Sequence, residues 1–213
     1  MYQPPHFKEE RLDVQHALIQ AHPLGLLVTN GSSGLIANPI PFALDASASP
    51  LGTLRAHLSR ANQQWRDFDP AQEALVVFQG VESYITPSWY EAKRETGKVV
   101  PTWNYVIVQA YGRMRAIDDP EWLLRQISDV TRHQEAGRPE PWSTADAPAD
   151  FLAAQLKGIV GVEIEVTRIE GKWKVSQNRS DTDRQRVAAG LRDDAHEEAH
   201  AMADLVETRG AKS

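Results

Sequence analysis

The run Tyr105-Val106-Ile107-Val108-Gln109-Ala110-Tyr111-Gly112-Arg113-Met114-Arg115-Ala116-Ile117 begins continuously apolar and then alternates, which reads as the central strand of a sheet. A strand of that length needs partners, and the chain supplies them. Leu24–Thr29 reads as a buried strand joined through the turn Asn30-Gly31-Ser32-Ser33-Gly34 to a second one at Leu35–Leu44. Pro39 and Pro41 push that second strand to an edge or a bulge, because proline cannot donate to a ladder. Further strands are predicted at Thr53–Leu58, Ala74–Gly80, Ile159–Ile169 and, after a Glu170-Gly171 turn, Lys172–Val175. Short turns and the lack of a repeating βαβ pattern predict an α+β domain built around a small barrel.

Helical patterns lie around this sheet. Leu12, Val14, Ala17, Leu18 and Ala21 mark an amphipathic helix over Lys8–Ala21, stopped before Pro23. Asp118-Asp119-Pro120-Glu121 signals a helix start, with proline and acid where the first turn favours them, and the helix should run to about Arg132. Phe151–Lys157 predicts a short helix after an irregular, proline-rich stretch over Gly137–Pro148. From Asp181 the composition turns to polar helix formers, so the expected organisation is a domain over residues 1–180 with a C-terminal helical appendage over 181–213.

The chain of 213 residues has 41% hydrophobic and 24% charged residues and no run long enough to span a membrane, which predicts a soluble protein. Its first residues show no secretory signal pattern, so a cytoplasmic location is expected. The absence of cysteine excludes thiolate metal sites, disulfides and cysteine nucleophiles. A net charge of −6 weakens the case for a DNA partner, since a duplex calls for a concentrated basic face. No glycine-rich phosphate loop is present.

Two blocks concentrate aromatic surface: Ser83-Tyr84-Ile85-Thr86-Pro87-Ser88-Trp89-Tyr90 and Val99-Val100-Pro101-Thr102-Trp103-Asn104-Tyr105. Each sets proline and a small hydroxyl residue beside Trp, a surface suited to a flat, conjugated, polar ligand. The same residues would also plug a barrel end or fill a subunit contact, and residue chemistry leaves both readings open. His57-Leu58-Ser59-Arg60-Ala61-Asn62, a strand followed by a turn, could gather charge-assisted hydrogen bonds on a phosphate or be an ordinary surface turn. Lys172-Trp173-Lys174-Val175-Ser176-Gln177-Asn178-Arg179 is basic and amide-rich, and could close over an anion or cap a hairpin. His196-Glu197-Glu198-Ala199-His200 matches the short zinc-peptidase pattern, but it sits in a polar tail with Ala203 and Val206 where the longer pattern needs other residues. We read it as a solvated helix face and assign no metal site.

In this order the blocks resemble the PaiB family of FMN-binding split-barrel proteins, described as negative transcriptional regulators. The resemblance runs from Met1-Tyr2, Pro4 and Phe7 through Pro41-Phe42, Gly52-Thr53-Leu54, the His57–Asn62 segment and both aromatic blocks to Gly158-Ile159-Val160-Gly161, Lys174–Arg179 and the tail. Asn38, Ser59 and Gln63 depart from the family's His, Ala and Pro. The resemblance implies a split β-barrel with peripheral helices and a homodimer holding FMN at the subunit boundary. It assigns the cofactor phosphate to Ser59, Arg60 and Asn62, with His57 nearby. It sets Ala37, Asn38 and Ile40 along the isoalloxazine, and brings in Thr102, Trp103, Asn104 and Tyr105, or Gln177 and Arg179, from the partner subunit. Functionally it implies a flavin-binding regulator. A flavin oxidoreductase fed by a nicotinamide is the alternative, because the cofactor itself would carry the chemistry. Haem binding on the same fold would need an axial histidine, for which His57 is the candidate.

Overall fold

A computed structural model describes residues 1–32 and 34–210. Its strands are β1 (Lys8–Glu9), β2 (Leu24–Gly31), β3 (Gly34–Pro41), β4 (Ala43–Asp45), β5 (Thr53–Ser59), β6 (Ala74–Ile85), β7 (Thr102–Ile117) and β8 (Ile159–Lys174). The α-helices are α1 (Leu12–Ala21), α2 (Glu91–Glu95), α3 (Pro120–Glu135), α4 (Ala149–Lys157), α5 (Asp181–Arg192) and α6 (Glu197–Gly210). Among the described residues the strands form an open antiparallel sheet in the order β3-β2-β6-β7-β8-β5-β4, with β1 paired to β8. This is the expected α+β split-barrel class, and β7 stands at the centre of the strand order.

The prolines explain one margin. Pro39 and Pro41 lie in β3, the end strand, where missing N–H groups cost no ladder bond. The predicted strand Leu35–Leu44 breaks at Phe42, whose N–H turns to Pro23 O (2.8 Å) and whose ring is buried beside Phe78. In the turn before β3, Ser33 lies outside the described residues.

Two other boundaries differ from the sequence pattern for one shared reason. The Glu170-Gly171 turn is absent and β8 runs on to Lys174, because β1 pairs there, Lys8 opposite Lys172 and Glu9 opposite Gly171. Those same residues are lost to the predicted first helix, which begins at Leu12. A β-bridge to a remote segment is invisible to a local periodicity.

The chain divides into two compact units. The first comprises Met1–Leu18, Gln79–Val108 and the described residues from Glu170 onward. In it α5 and α6 bury Val187, Ala188, Leu191, Met202, Ala203 and Val206, so these polar-looking helices have an apolar seam. Asp183 accepts from the N–H groups of Glu91 and Ala92 at the start of α2 (2.7 and 3.3 Å), and a side chain at Gly190 would collide with the Trp89 indole at 2.3 Å. Tyr90 is fully buried, with the Arg179 guanidinium 4.6 Å from its ring centre. Trp89 and Tyr90 therefore belong to packing.

The second unit comprises Ile19–Phe78 and Gln109–Ile169. Its helix α3 starts as the sequence signals: Asp119 accepts from the N–H groups of Glu121 (2.9 Å) and Trp122 (3.4 Å), and Pro120 occupies the first turn. The helix is seated on the sheet at Gly161, where a Cβ would lie 2.3 Å from the Trp122 ring. Gly161 is the cross-strand partner of His57, and Gln126, one turn beyond Trp122, meets His57.

Candidate functional site

The sequence-assigned residues fall in both units. In the second unit, Ser59 ends β5 and its hydroxyl accepts from Ala61 N (3.3 Å). Asn62 caps the short 3-10 helix Gln63–Trp65, its Oδ1 accepting from Gln64 N at 2.9 Å. Arg60 is heavily engaged. Its Nη1 and Nη2 clasp Asp118 at 2.8 and 2.6 Å, Nε donates to Lys157 O at 2.9 Å, and Nη2 also donates to Ile159 O at 3.0 Å. The hydrogen bond to Arg60 holds the Asp118 carboxyl below its ordinary range. The turn is drawn together by these contacts, with an internal carboxylate on its arginine.

His57 sits beneath α3 with Nδ1 2.8 Å from Gln126 Oε1. On β3, Asn38 and Ile40 face inward: Asn38 Nδ2 donates to Gln64 Oε1 (2.9 Å), and Ile40 is buried. Ala37, Pro39 and Pro41 face outward with Leu35, beside Leu24 and Leu26 of β2. Leu35, Leu24 and Leu26 are 79%, 62% and 41% exposed, so this end of the sheet presents an apolar face.

Gln64, unremarked in the sequence, is the keystone beneath β2 and β3. Fully buried, it donates from Nε2 to Leu27 O (3.1 Å), Thr29 Oγ1 (3.1 Å) and Ile36 O (3.2 Å). Asp118 and Gln126 were missed as well. Nothing local marks them, since their partners lie far away in sequence.

The first unit holds a cluster of rings and cations. Trp103, 52% exposed, meets Tyr84 edge-to-face at 5.9 Å. Tyr105, on the same side of β7, has Lys172 Nζ and Lys174 Nζ at 5.2 and 5.9 Å from its ring centre. Lys174 donates to Thr102 Oγ1 and to Trp103 O. Burial, and then the positive charges of Lys172 and Arg179, lower the Lys174 pKa, so an anion would relieve an existing electrostatic cost. Lys172 and Lys174 open the basic Lys172–Arg179 segment that the sequence offered as an anion clasp, whereas the family resemblance singled out Gln177 and Arg179 within it.

Asn104 points the other way, buried, and donates to Ser176 Oγ at 3.0 Å. Ser176 has φ +67°, the left-handed region, and is the only non-glycine with positive φ among the described residues. Gln177 fixes the same turn: its Oε1 accepts from Val175 N (2.8 Å) and its Nε2 donates to Trp173 O (2.6 Å). Asn104 and Gln177 therefore shape the turn, while Trp103, Tyr105, Lys172 and Lys174 present ring and charge.

His196 lies just before α6 and bonds Asp194 at 2.5 Å, and His200 Nε2 lies 2.9 Å from Asp194 O. Both are exposed, and among the described residues no cluster of three or more His, Cys, Asp or Glu could hold a metal. No described helix is long and apolar enough to cross a membrane.

A family model described as "Putative FMN-binding domain" matches residues 1–168. The chain belongs to this FMN-binding family. It is 32% identical over 209 residues, 98% of each chain, to the protease synthase and sporulation protein PAI 2 of Bacillus subtilis, which bears out the PaiB resemblance. Among solved structures it is similar to the flavocytochrome Anf3 of Azotobacter vinelandii, with TM-score 0.59 and 12% identity over 78% of this chain and 69% of that one. It is also similar to a FAD and heme binding protein of Mycobacterium smegmatis, with TM-score 0.56 and 16% identity over 85% and 78% of the two chains. At these identities the structural likeness establishes the split-barrel fold. Taken separately, each unit offers groups of the kind a flavin needs: exposed ring surface and a strand-borne pair of lysines in the first, a polar strand-to-turn segment in the second.

Proposed function

We propose that this protein is a cytoplasmic, homodimeric flavoprotein that takes FMN and acts as a PaiB-type regulator. The observation that carries the cofactor assignment is the Trp103–Tyr105 surface bordered by Lys172 and Lys174. A flat ring gains contact area on such a surface, and a partly desolvated ammonium favours an electron-rich ring edge or a phosphate. Bound FMN supplies one- and two-electron redox chemistry. The protein's own residues do the rest: Trp103 and Tyr105 offer ring faces, Lys172 and Lys174 supply positive field, and Asn104 and Gln177 hold the adjoining turn in shape. Ser59, Arg60 and Asn62 remain the proposed phosphate segment, with Asp118 as the carboxylate that a phosphate would replace on Arg60.

The exposed face of Leu24, Leu26, Leu35, Ala37 and Pro39 supports the homodimer, because a monomer would leave these residues in water. Pairing like faces is the commonest route to a closed dimer. A net charge of −6 favours flavin over duplex DNA as the direct partner, so regulation is read through the flavin's state.

The test begins with uptake. Purified protein should gain a flavin absorption band with FMN, more strongly than with FAD, and Lys174→Met should weaken uptake by roughly 1.5 to 3 kcal/mol, as for a lost charged hydrogen bond. Unchanged affinity would remove Lys174 from the site. Rapid anaerobic reduction by NADPH, with no DNA retained at physiological salt, would replace the regulatory reading with the oxidoreductase.

A further inference from the structure

Lys172 is 8% exposed, and among the described residues its ammonium has no hydrogen-bond acceptor and no carboxylate partner. It lies over two aromatic rings, with Nζ 5.2 Å from the centre of Tyr105 and 5.6 Å from that of Tyr2. Rings attract a cation but offer no lone pair to its three N–H donors. The surrounding charge deepens the deficit. Lys8 is the cross-strand partner of Lys172 and Lys174 follows two residues along the same strand, so both share its face of the sheet. The carboxylates at hand are spent elsewhere, Glu10 on Lys8 and Glu170 on the Met1 amino group. Buried charges are normally paired, so this one points to a counter-charge that arrives from outside. It can be reached: Gln126 Nε2 is an unpartnered atom sealed from solvent, whereas Lys172 Nζ is not sealed. Beside it Tyr2 stands 83% exposed and offers ring surface with nothing to cover it.

We propose that Lys172, Tyr2 and Tyr105 form a binding site for a small planar aromatic ring that bears an oxyanion, carboxylate or phosphate. The oxyanion takes the N–H donors of Lys172, Lys174 adds positive field, and the ring lies against Tyr2 and Tyr105. Capture supplies the buried ammonium with its counter-charge and covers the Tyr2 ring, so affinity needs both halves of the ligand. The residues belong to one compact unit. They share Tyr105 and both lysines with the surface proposed for the flavin, but take a second ligand, whose capture does not rest on the flavin reading.

The full chain, with and without added FMN, is titrated calorimetrically with benzoate, phenyl phosphate, cyclohexanecarboxylate and benzyl alcohol. Benzoate or phenyl phosphate should bind saturably in both preparations, at least tenfold more tightly than the non-aromatic acid or the uncharged aromatic alcohol. The tighter of the two identifies the oxyanion. Lys172→Met should lower that affinity at least tenfold and, in the ligand-free protein, raise the midpoint of thermal unfolding, because an uncompensated charge has left the interior. Tyr2→Ala, at an exposed position, should lower the affinity at least threefold and leave FMN uptake unchanged. No saturable binding of either aromatic anion, equal binding to Lys172→Met or to Tyr2→Ala, or displacement of the ligand by FMN overturns the proposal. Binding by a chain that takes up no FMN keeps this site and removes only the flavin.

Discussion

Asn104 donates its side-chain amide to the hydroxyl of Ser176 at 3.0 Å, joining the start of β7 to a left-handed residue just past the end of β8. A serine held at φ +67° costs about 1–2 kcal/mol that its surroundings must offset. Asn104→Ala removes that support and leaves the buried hydroxyl without its donor. It should lower stability by about 1–3 kcal/mol, read as a fall in denaturation midpoint at unchanged m-value.

Gln64→Leu tests the keystone under β2 and β3. The substitution keeps the volume but strips the donor from Leu27 O, Thr29 and Ile36 O and the acceptor from Asn38. A loss of about 2–3 kcal/mol is expected, with hydrogen exchange accelerated first in β3. Equal protection in both proteins would show that the ladder alone holds the strands.

Gly161→Val sets a side chain against the Trp122 ring, where even a Cβ would stand 2.3 Å away. Helix α3 must shift, at about 1–3 kcal/mol, and the Gln126–His57 contact should open with it. Shifted Trp fluorescence and altered His57 ring signals are the expected readouts.

Glu9 gives the pH dependence a direction. Burial raises its carboxyl pKa, but the Arg11 side-chain and backbone N–H groups and the Arg209 guanidinium outweigh this and hold it at about 2, against an ordinary 4.5. The folded value lies below the unfolded one, so the contribution is complete above pH 4.5 and is lost as the pH falls towards 2. With Arg11 largely in solvent, the contribution is about 2 kcal/mol. Glu9→Gln should therefore be the less stable protein at pH 7 and match the wild type near pH 2, in parallel urea titrations.

What the sequence disclosed follows from range. Strand runs, the Asp119-Pro120 helix start and the edge position forced by Pro39 and Pro41 are local statements, and they hold. The continuation of β8 past Gly171 depends on Lys8 and Glu9, residues far away in the chain, and no local pattern contains it. The candidate site divides in the same way. Alternation along β7 separates outward Trp103 and Tyr105 from inward Asn104, but the assignment of Gln177 and Asn62 to turn geometry, and of Asp118 to Arg60, comes from tertiary contacts. Polar composition hid the buried seam of α5 and α6, since small residues such as Ala188 and Ala203 carry much of it.

The clasp of Asp118 on Arg60 changes what anion capture at that turn means. A phosphate arriving there swaps places with a resident carboxylate, so the guanidinium is neutralised before and after. Few counterions are set free by such an exchange, and attachment at Arg60 should respond only weakly to ionic strength, unlike attachment to the uncompensated lysines beside Tyr105.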